Sequence, residues 1–236
     1  MARKPSRSNA KRARTRAAST ISGGDRERIV QAFMQLLAEK PIERIDLAEI
    51  AKRARVSLAR LREEFDSPLA ILAAQTKEID REVLEGGDGE TAEESPRDRL
   101  FDVLMRRLEA MEPHRAVVRS LTRSAMCNPG LALALNALTT RSMRWMLSAA
   151  GIHVSGTKGA VRAQGLALIF AQVLRVWVED EDPGLARTMA ELDRALTRAQ
   201  SWSRLLDDLC ALAPPRCPPR RRRRSRRDEA DEAAAA

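Results

Sequence analysis

The sequence predicts an all-α protein, with a three-helix helix-turn-helix head attached to a larger helical bundle body. Three observations carry this expectation. Ala, Leu, Arg and Glu dominate, tyrosine is absent and alternating β-branched runs are missing, a composition that favours helix over strand. Apolar residues recur at helical spacing in successive segments separated by Gly, Pro, Ser and Asn. The stretch from Asp46 to Phe65, DLAEIAKRARVSLARLREEF, reads as two short helices around a tight break.

In that stretch Asp46 is the expected cap of the first helix, with Glu49 three residues on completing a capping box. Leu47, Ile50 and Ala51 form its apolar face. The pattern breaks at Arg55-Val56-Ser57, where Ser57 is the expected cap of the second helix, and Leu58, Leu61 and Phe65 supply the next apolar face. Two helices of this length across a short turn make a helix-turn-helix, whose second helix can lie in a DNA major groove.

The residues from Arg28 to Leu72 resemble the DNA-binding head of the TetR family of bacterial regulators. The match runs through Ile29, Ala32, Phe33, Leu36, Leu37 and Ala38-Glu39-Lys40. It continues with Ile50-Ala51, Ala54, Val56-Ser57, Leu61, Phe65, Ser67, Ala70 and Ile71-Leu72. The chain departs from the family pattern after the turn serine. Leu58, Ala59 and Arg60 replace the usual lysine, glycine and threonine, Arg62 the tyrosine, Glu64 the histidine, and Pro68 the lysine that opens the next helix.

In chain order, Gly23-Gly24-Asp25 marks the start of order, with Asp25 as cap, and helix one ends before Pro41. After the helix-turn-helix, Ser67-Pro68 opens a linker helix through about Glu85, because proline is tolerated in a first turn. A loop from Gly86 to Ser95 leads to helices opening at Pro96 and Pro113, then 131–150, the strongly apolar 161–179, and 184–212. The domain boundaries expected are a disordered basic arm 1–24, a head with linker helix 25–85, a ligand-binding and dimerisation body 96–212, and a disordered Arg-rich tail 213–236.

The net charge of +9 is carried by the ends. Residues 1–24 hold seven Lys/Arg and no acid; residues 216–227 hold eight Arg, followed by four acids. Removing these from the 42 basic and 33 acidic side chains of the whole chain leaves 27 and 29. Such charged runs are expected to be disordered and to offer salt-sensitive phosphate contacts. No apolar run is expected to approach the roughly 20 residues of a bilayer span. Cys127, Cys210 and Cys217 show no metal spacing, imply reduced thiols, and Cys127 is expected in the core. No HExxH, GxSxG or phosphate loop occurs. No cofactor, metal site or catalytic residue is expected, and the carboxylates at 179–182 are read as helix caps.

The expected DNA-contacting residues are Lys52, Arg55, Ser57, Leu58, Ala59, Arg60 and Arg62. Arg60 and Arg62 are the arginines able to bond guanine, and Leu58 and Ala59 can touch a thymine methyl. The alternative for the arginines is pairing with Glu63 or Glu64. Phe101, Met105, Met126, Trp145, Phe170 and Trp177 are candidates for an apolar ligand pocket, against the simpler reading that they are core.

The family resemblance implies a dimeric repressor in the bacterial cytoplasm, associated with the nucleoid. It implies pairing through helices 161–179 and 184–212, binding to a near-palindromic double-stranded operator, and release by a small apolar effector. No membrane partner is implied. A second resemblance, from Val176 to Leu196, is to lipid-binding accessory proteins of ubiquinone biosynthesis. It rests on Trp177, Asp180, Asp182-Pro183, Thr188 and Leu192-Asp193-Arg194. It implies the alternative of a lipid-binding protein of the same fold that has lost DNA recognition.

Overall fold

Local capping chemistry sets four of the helix starts. Ser57 accepts the N–H of Arg60 at 3.1 Å, Ser67 that of Ala70 at 3.2 Å, Ser95 that of Asp98 at 3.2 Å, and Asn128 that of Leu131 at 3.0 Å. Each satisfies an N–H that has no partner within its helix. The computed structural model describes residues 24–87 and 94–212, with side chains up to Gln200. The expected arm up to residue 23, the tail from 213 and most of the predicted loop lie outside the described residues.

The described chain is all helical: α1 (24–39), α2 (Leu47–Ala54), α3 (Leu58–Glu64), α4 (Pro68–Glu85), α5 (Pro96–Ala110), α6 (Arg115–Cys127), α7 (Pro129–Ala149), α8 (Gly156–Trp177) and α9 (Ala186–Leu212). Short 3-10 turns at Ile42–Arg44 and Glu112–His114 lead into α2 and α6. One compact unit ends at Thr197; from Arg198 the chain belongs to a second unit, whose described part is the end of α9.

Two apolar clusters hold the first unit. The head cluster buries Ile29, Phe33, Leu36, Leu37, Ile50, Leu61, Phe65 and Ile71, and α6 adds Val117 and Leu121. The body cluster is built from α4, α5, α7, α8 and α9, with Leu104, Leu108, Met143, Phe170, Trp177 and Leu192 at its centre. Inside it, Asp80 of α4 accepts hydrogen bonds from the buried Arg107 of α5 and, at 2.6 Å, from Ser142 of α7. Burial pushes the Arg107 guanidinium down from its ordinary pKa, while Asp80 holds it up. A buried charge stays ionised only with such a partner.

Several elements differ from expectation. Asp46 makes no side-chain cap, and Glu49 pairs with Lys40 instead of reaching back. Asp25 lies within α1 and does not cap it, its side chain taken by Arg28 and Arg60. Cys127 is exposed at the end of α6. Helix α8 starts at Gly156, five residues earlier than the apolar pattern begins. It reaches 22 residues, long and apolar enough by length and composition to cross a membrane. Its Leu166, Phe170, Val173 and Trp177 pack into the body cluster, which accounts for part of that apolarity, while Val161 and Leu168 stay exposed.

The α8–α9 connection explains the second resemblance in structural terms. Asp180, 1% exposed, accepts the Thr188 N–H at 2.9 Å and hydroxyl at 2.7 Å. Asp182 accepts the N–H of Gly184 at 3.1 Å and of Ala186 at 3.3 Å. Arg115 lies 4.7 Å over the Trp177 ring and donates to the Asp180 carbonyl. These residues fasten a helical hairpin, and the carboxylates here act as caps.

Candidate nucleic-acid interface

The turn between α2 and α3 is a Schellman closure. Val56 N–H bonds the Ala51 carbonyl at 3.0 Å, Arg55 N–H bonds that of Lys52 at 3.2 Å, and Arg55 sits in the left-handed region at φ 57°. Glycine is the low-strain residue there. Behind the turn, Ile50, Ala51, Ala54, Leu61 and Phe65 are buried, fixing α3 across the head.

What remains outside is a continuous face. Lys52, Arg55, Ser57, Leu58, Ala59 and Arg62 are all exposed. Lys52 and Arg55 pair with no acid among the described residues, whereas Arg62 pairs with Asp66, both side chains well exposed. Leu58 and Leu47, expected on the apolar inner faces, are 54% and 43% exposed. Each is the first residue of its helix, and the head core takes Ile50, Ala51, Ala54, Leu61 and Phe65 from α2, α3 and the residue that follows. With Ala59, Leu61, Arg62, Phe65 and Asp66 the two leucines line a surface groove of about 340 Å³.

Arg60 does not join that face. Its Nε donates to Asp25 at 2.9 Å, one terminal nitrogen to Glu63 at 2.8 Å, and the other pairs with Glu64 at 2.8 Å. Donating to Glu63 and then to Asp25 raises its pKa above the ordinary arginine value. Glu64 also meets Arg26, whose guanidinium stacks 4.4 Å over the Phe65 ring. Sequence reasoning offered Glu63 and Glu64 as partners, but Asp25, 35 residues away, carries no local signal.

The six candidate pocket residues do not converge. Phe170 and Trp177 are fully buried in the body cluster, with Phe101 and Met105 packed partly buried against it. Met126 and Trp145 are 68% and 57% exposed on α6 and α7 and stand outside that cluster. Apolar spacing on a helix with more than one apolar face does not say which face is covered. Among the described residues no group of three His, Cys, Asp or Glu side chains is placed to hold a metal ion.

Head and body together define an all-helical architecture in which a helix-turn-helix is presented by a larger bundle. It is similar to the crystal structure of a TetR transcriptional regulator from Nitrosomonas europaea, with 24% identity, a TM-score of 0.57, and coverage of 75% of this chain and 98% of that one. It is likewise similar to a TetR transcriptional regulator from Rhodococcus sp. RHA1, with 23% identity, a TM-score of 0.52, and coverage of 74% and 94%. A TetR-family regulator from Rhodococcus sp. gives 21%, 0.51, 73% and 97%. The fold is that of the TetR-family regulators. No protein-family model matches the chain, and no curated protein does.

Proposed function

We propose that the chain is a dimeric, non-enzymatic DNA-binding transcriptional repressor of the bacterial cytoplasm. The carrying observation is the exposed face of Lys52, Arg55, Ser57, Leu58, Ala59 and Arg62 on a capped helix-turn-helix. In this reading Lys52 and Arg55 meet phosphates and α3 enters the major groove. The basic segment of residues 1–24 joins the head directly and adds sequence-independent attraction.

Dimerisation through α8 and α9 is supported by Val161 and Leu168, each 59% exposed and seven residues apart on α8, and by Met189, 40% exposed on α9. Two heads related by a twofold axis, about 34–36 Å apart, read a near-palindrome. A small apolar effector in the body releases the operator by favouring a conformation whose heads no longer fit that spacing. The buried Arg107–Asp80–Ser142 contacts, which join the linker helix α4 to the body, support such coupling.

A second reading is a lipid-binding protein of this fold that does not read DNA. The enclosure of Arg60 by three carboxylates favours it. Binding of a genomic fragment library across a salt series, by the full chain and by residues 25–212, separates the two. Selection of a palindrome by residues 25–212 supports the regulator. Binding that needs the termini, prefers no site and vanishes with salt removes that reading, and an isoprenoid lipid retained in native mass spectrometry of protein from its own host establishes the other.

A further inference from the structure

We propose that the head selects its DNA site chiefly through thymine 5-methyl groups, seated on Leu58, Ala59 and Leu47, and not through arginine–guanine pairs. The proposal rests on the DNA-binding reading above. Arg60, the arginine nearest the start of α3, has all three guanidinium nitrogens engaged by Asp25, Glu63 and Glu64 at 2.8–2.9 Å. Arginine reads guanine by turning two of those nitrogens to O6 and N7, so in this arrangement its reading groups are occupied.

Beside Arg62, the groove that α3 lines is apolar. Leu58 and Leu47 are 54% and 43% exposed, Ala59 lies beside them, and Leu61 and Phe65 also line the groove. Among base edges in the major groove, only thymine offers an apolar group. A leucine pressed on a cytosine amino group or a guanine carbonyl strips water from it and gives no hydrogen bond in return, which costs free energy. The same surface on a thymine methyl buries two apolar groups together.

Charge names DNA as the occupant. Lys52 and Arg55 stand exposed on the α2 end and turn that precede α3, without an acid partner among the described residues. Among the described residues, Arg62 at the groove edge is held only by Asp66, which is 86% exposed. An exposed pair of this kind is weak and exchanges readily for a phosphate. Asp66 is the one acid lining the groove.

The test uses the full chain and a random duplex library to select a half-site, followed by replacement of its thymines with deoxyuridine. That change removes the methyl and leaves base pairing intact. Burial of one methyl corresponds to roughly fourfold in affinity. The expected result is a loss of that size at one or two thymines, restored by 5-methylcytosine paired with guanine where the base change itself is tolerated. Leu58→Ala, or Leu47→Ala as a second variant, should abolish the difference between thymine and deoxyuridine. Both side chains are exposed, so the fold is retained.

A selected site indifferent to deoxyuridine, or a guanine preference lost with Arg60→Ala, overturns this proposal and leaves the regulator reading standing. Failure to select any site overturns both. Loss of self-association on Leu58→Ala with no change in thymine preference assigns the groove to a second copy of the chain and overturns the proposal.

Discussion

Arg60 Nε donates to Asp25 Oδ2 at 2.9 Å, tying the second helix of the helix-turn-helix to the first turn of α1. Asp25 also holds Arg28, so one carboxylate at the root of the basic N-terminal segment restrains two arginines. Asp25→Ala should therefore increase DNA affinity, and should steepen the dependence of log K on log salt by about one for each further phosphate that a released arginine meets. Fluorescence anisotropy over a salt series measures this, with Asp25→Ala/Arg28→Ala isolating the share of Arg60. An unchanged slope in both would mean that Glu63 and Glu64 suffice to retain Arg60.

The parts of this arrangement that were legible in the sequence are those decided within one helical turn. Ser57 and Ser67 cap the helices they precede because the donating N–H is three residues away. The buried head positions, from Ile29 to Leu72, follow helical spacing. What could not be read depends on distant partners. Glu49 leaves its capping box for Lys40, and Arg60 turns to Asp25. The early start of α8 is of the same kind. Gly156 and Gly159 lower helix propensity, yet a Cβ at Gly159 would stand 2.0 Å from the Val154 carbonyl oxygen, so the approach of that loop needs glycine inside the helix.

Arg55 occupies a left-handed turn position, φ 57°, where glycine carries no strain. Arg55→Gly should relieve about 1 kcal/mol of backbone strain, partly offset by the greater freedom of the unfolded chain. Urea denaturation should show a variant as stable as the parent or slightly more so. Anisotropy should show weaker DNA binding with a salt slope lower by about one. Unchanged DNA binding would remove Arg55 from the interface.

Asp80 and Arg107 test the body independently of DNA. Removing one partner strands a buried charge, so Asp80→Ala should cost about 3–5 kcal/mol, whereas replacing both with apolar residues of similar volume should cost far less. Denaturant midpoints of Asp80→Ala, Arg107→Met and Asp80→Leu/Arg107→Met measure this. A double variant no better than the singles would show that Ser142 and the Phe170 ring, 5.6 Å from the guanidinium, depend on the pair itself.

The α8–α9 hairpin should be acid-sensitive through Asp180. Its carboxyl is held below the ordinary range by the Thr188 hydroxyl first, then by the N–H groups of Thr188 and Asp182, against a burial effect of opposite sign. A depressed carboxylate pKa adds stability that is complete above the unfolded value, near 3.9. That stability is lost as pH falls through the folded value. Thr188→Val removes the hydroxyl and should cost about 1.5–3 kcal/mol at neutral pH. It should also flatten the loss of stability between pH 5 and pH 2, which thermal denaturation across that range will show. Parallel acid curves would place the titrating group elsewhere.

The proposed dimer surface yields the sharpest separation of alternatives. Val161 and Leu168 project from α8 seven residues apart, each 59% exposed, with Gly165 between them open enough that an added Cβ would touch nothing within 4 Å. A face that is apolar, exposed and low in bulk suits close packing of a second helix. Each leucine-sized side chain buried stabilises by about 1.5–3 kcal/mol and is counted twice in a symmetric dimer. Leu168→Glu should therefore weaken association by a factor of about 10² to 10⁴, read by analytical ultracentrifugation as monomer at micromolar concentration. Operator affinity should fall with it, since a single head gains no benefit from the second half-site. An undisturbed dimer would move the interface to other exposed apolar side chains, such as Leu133 or Trp145 of α7 at 72% and 57%, and would change the head spacing that any operator must match.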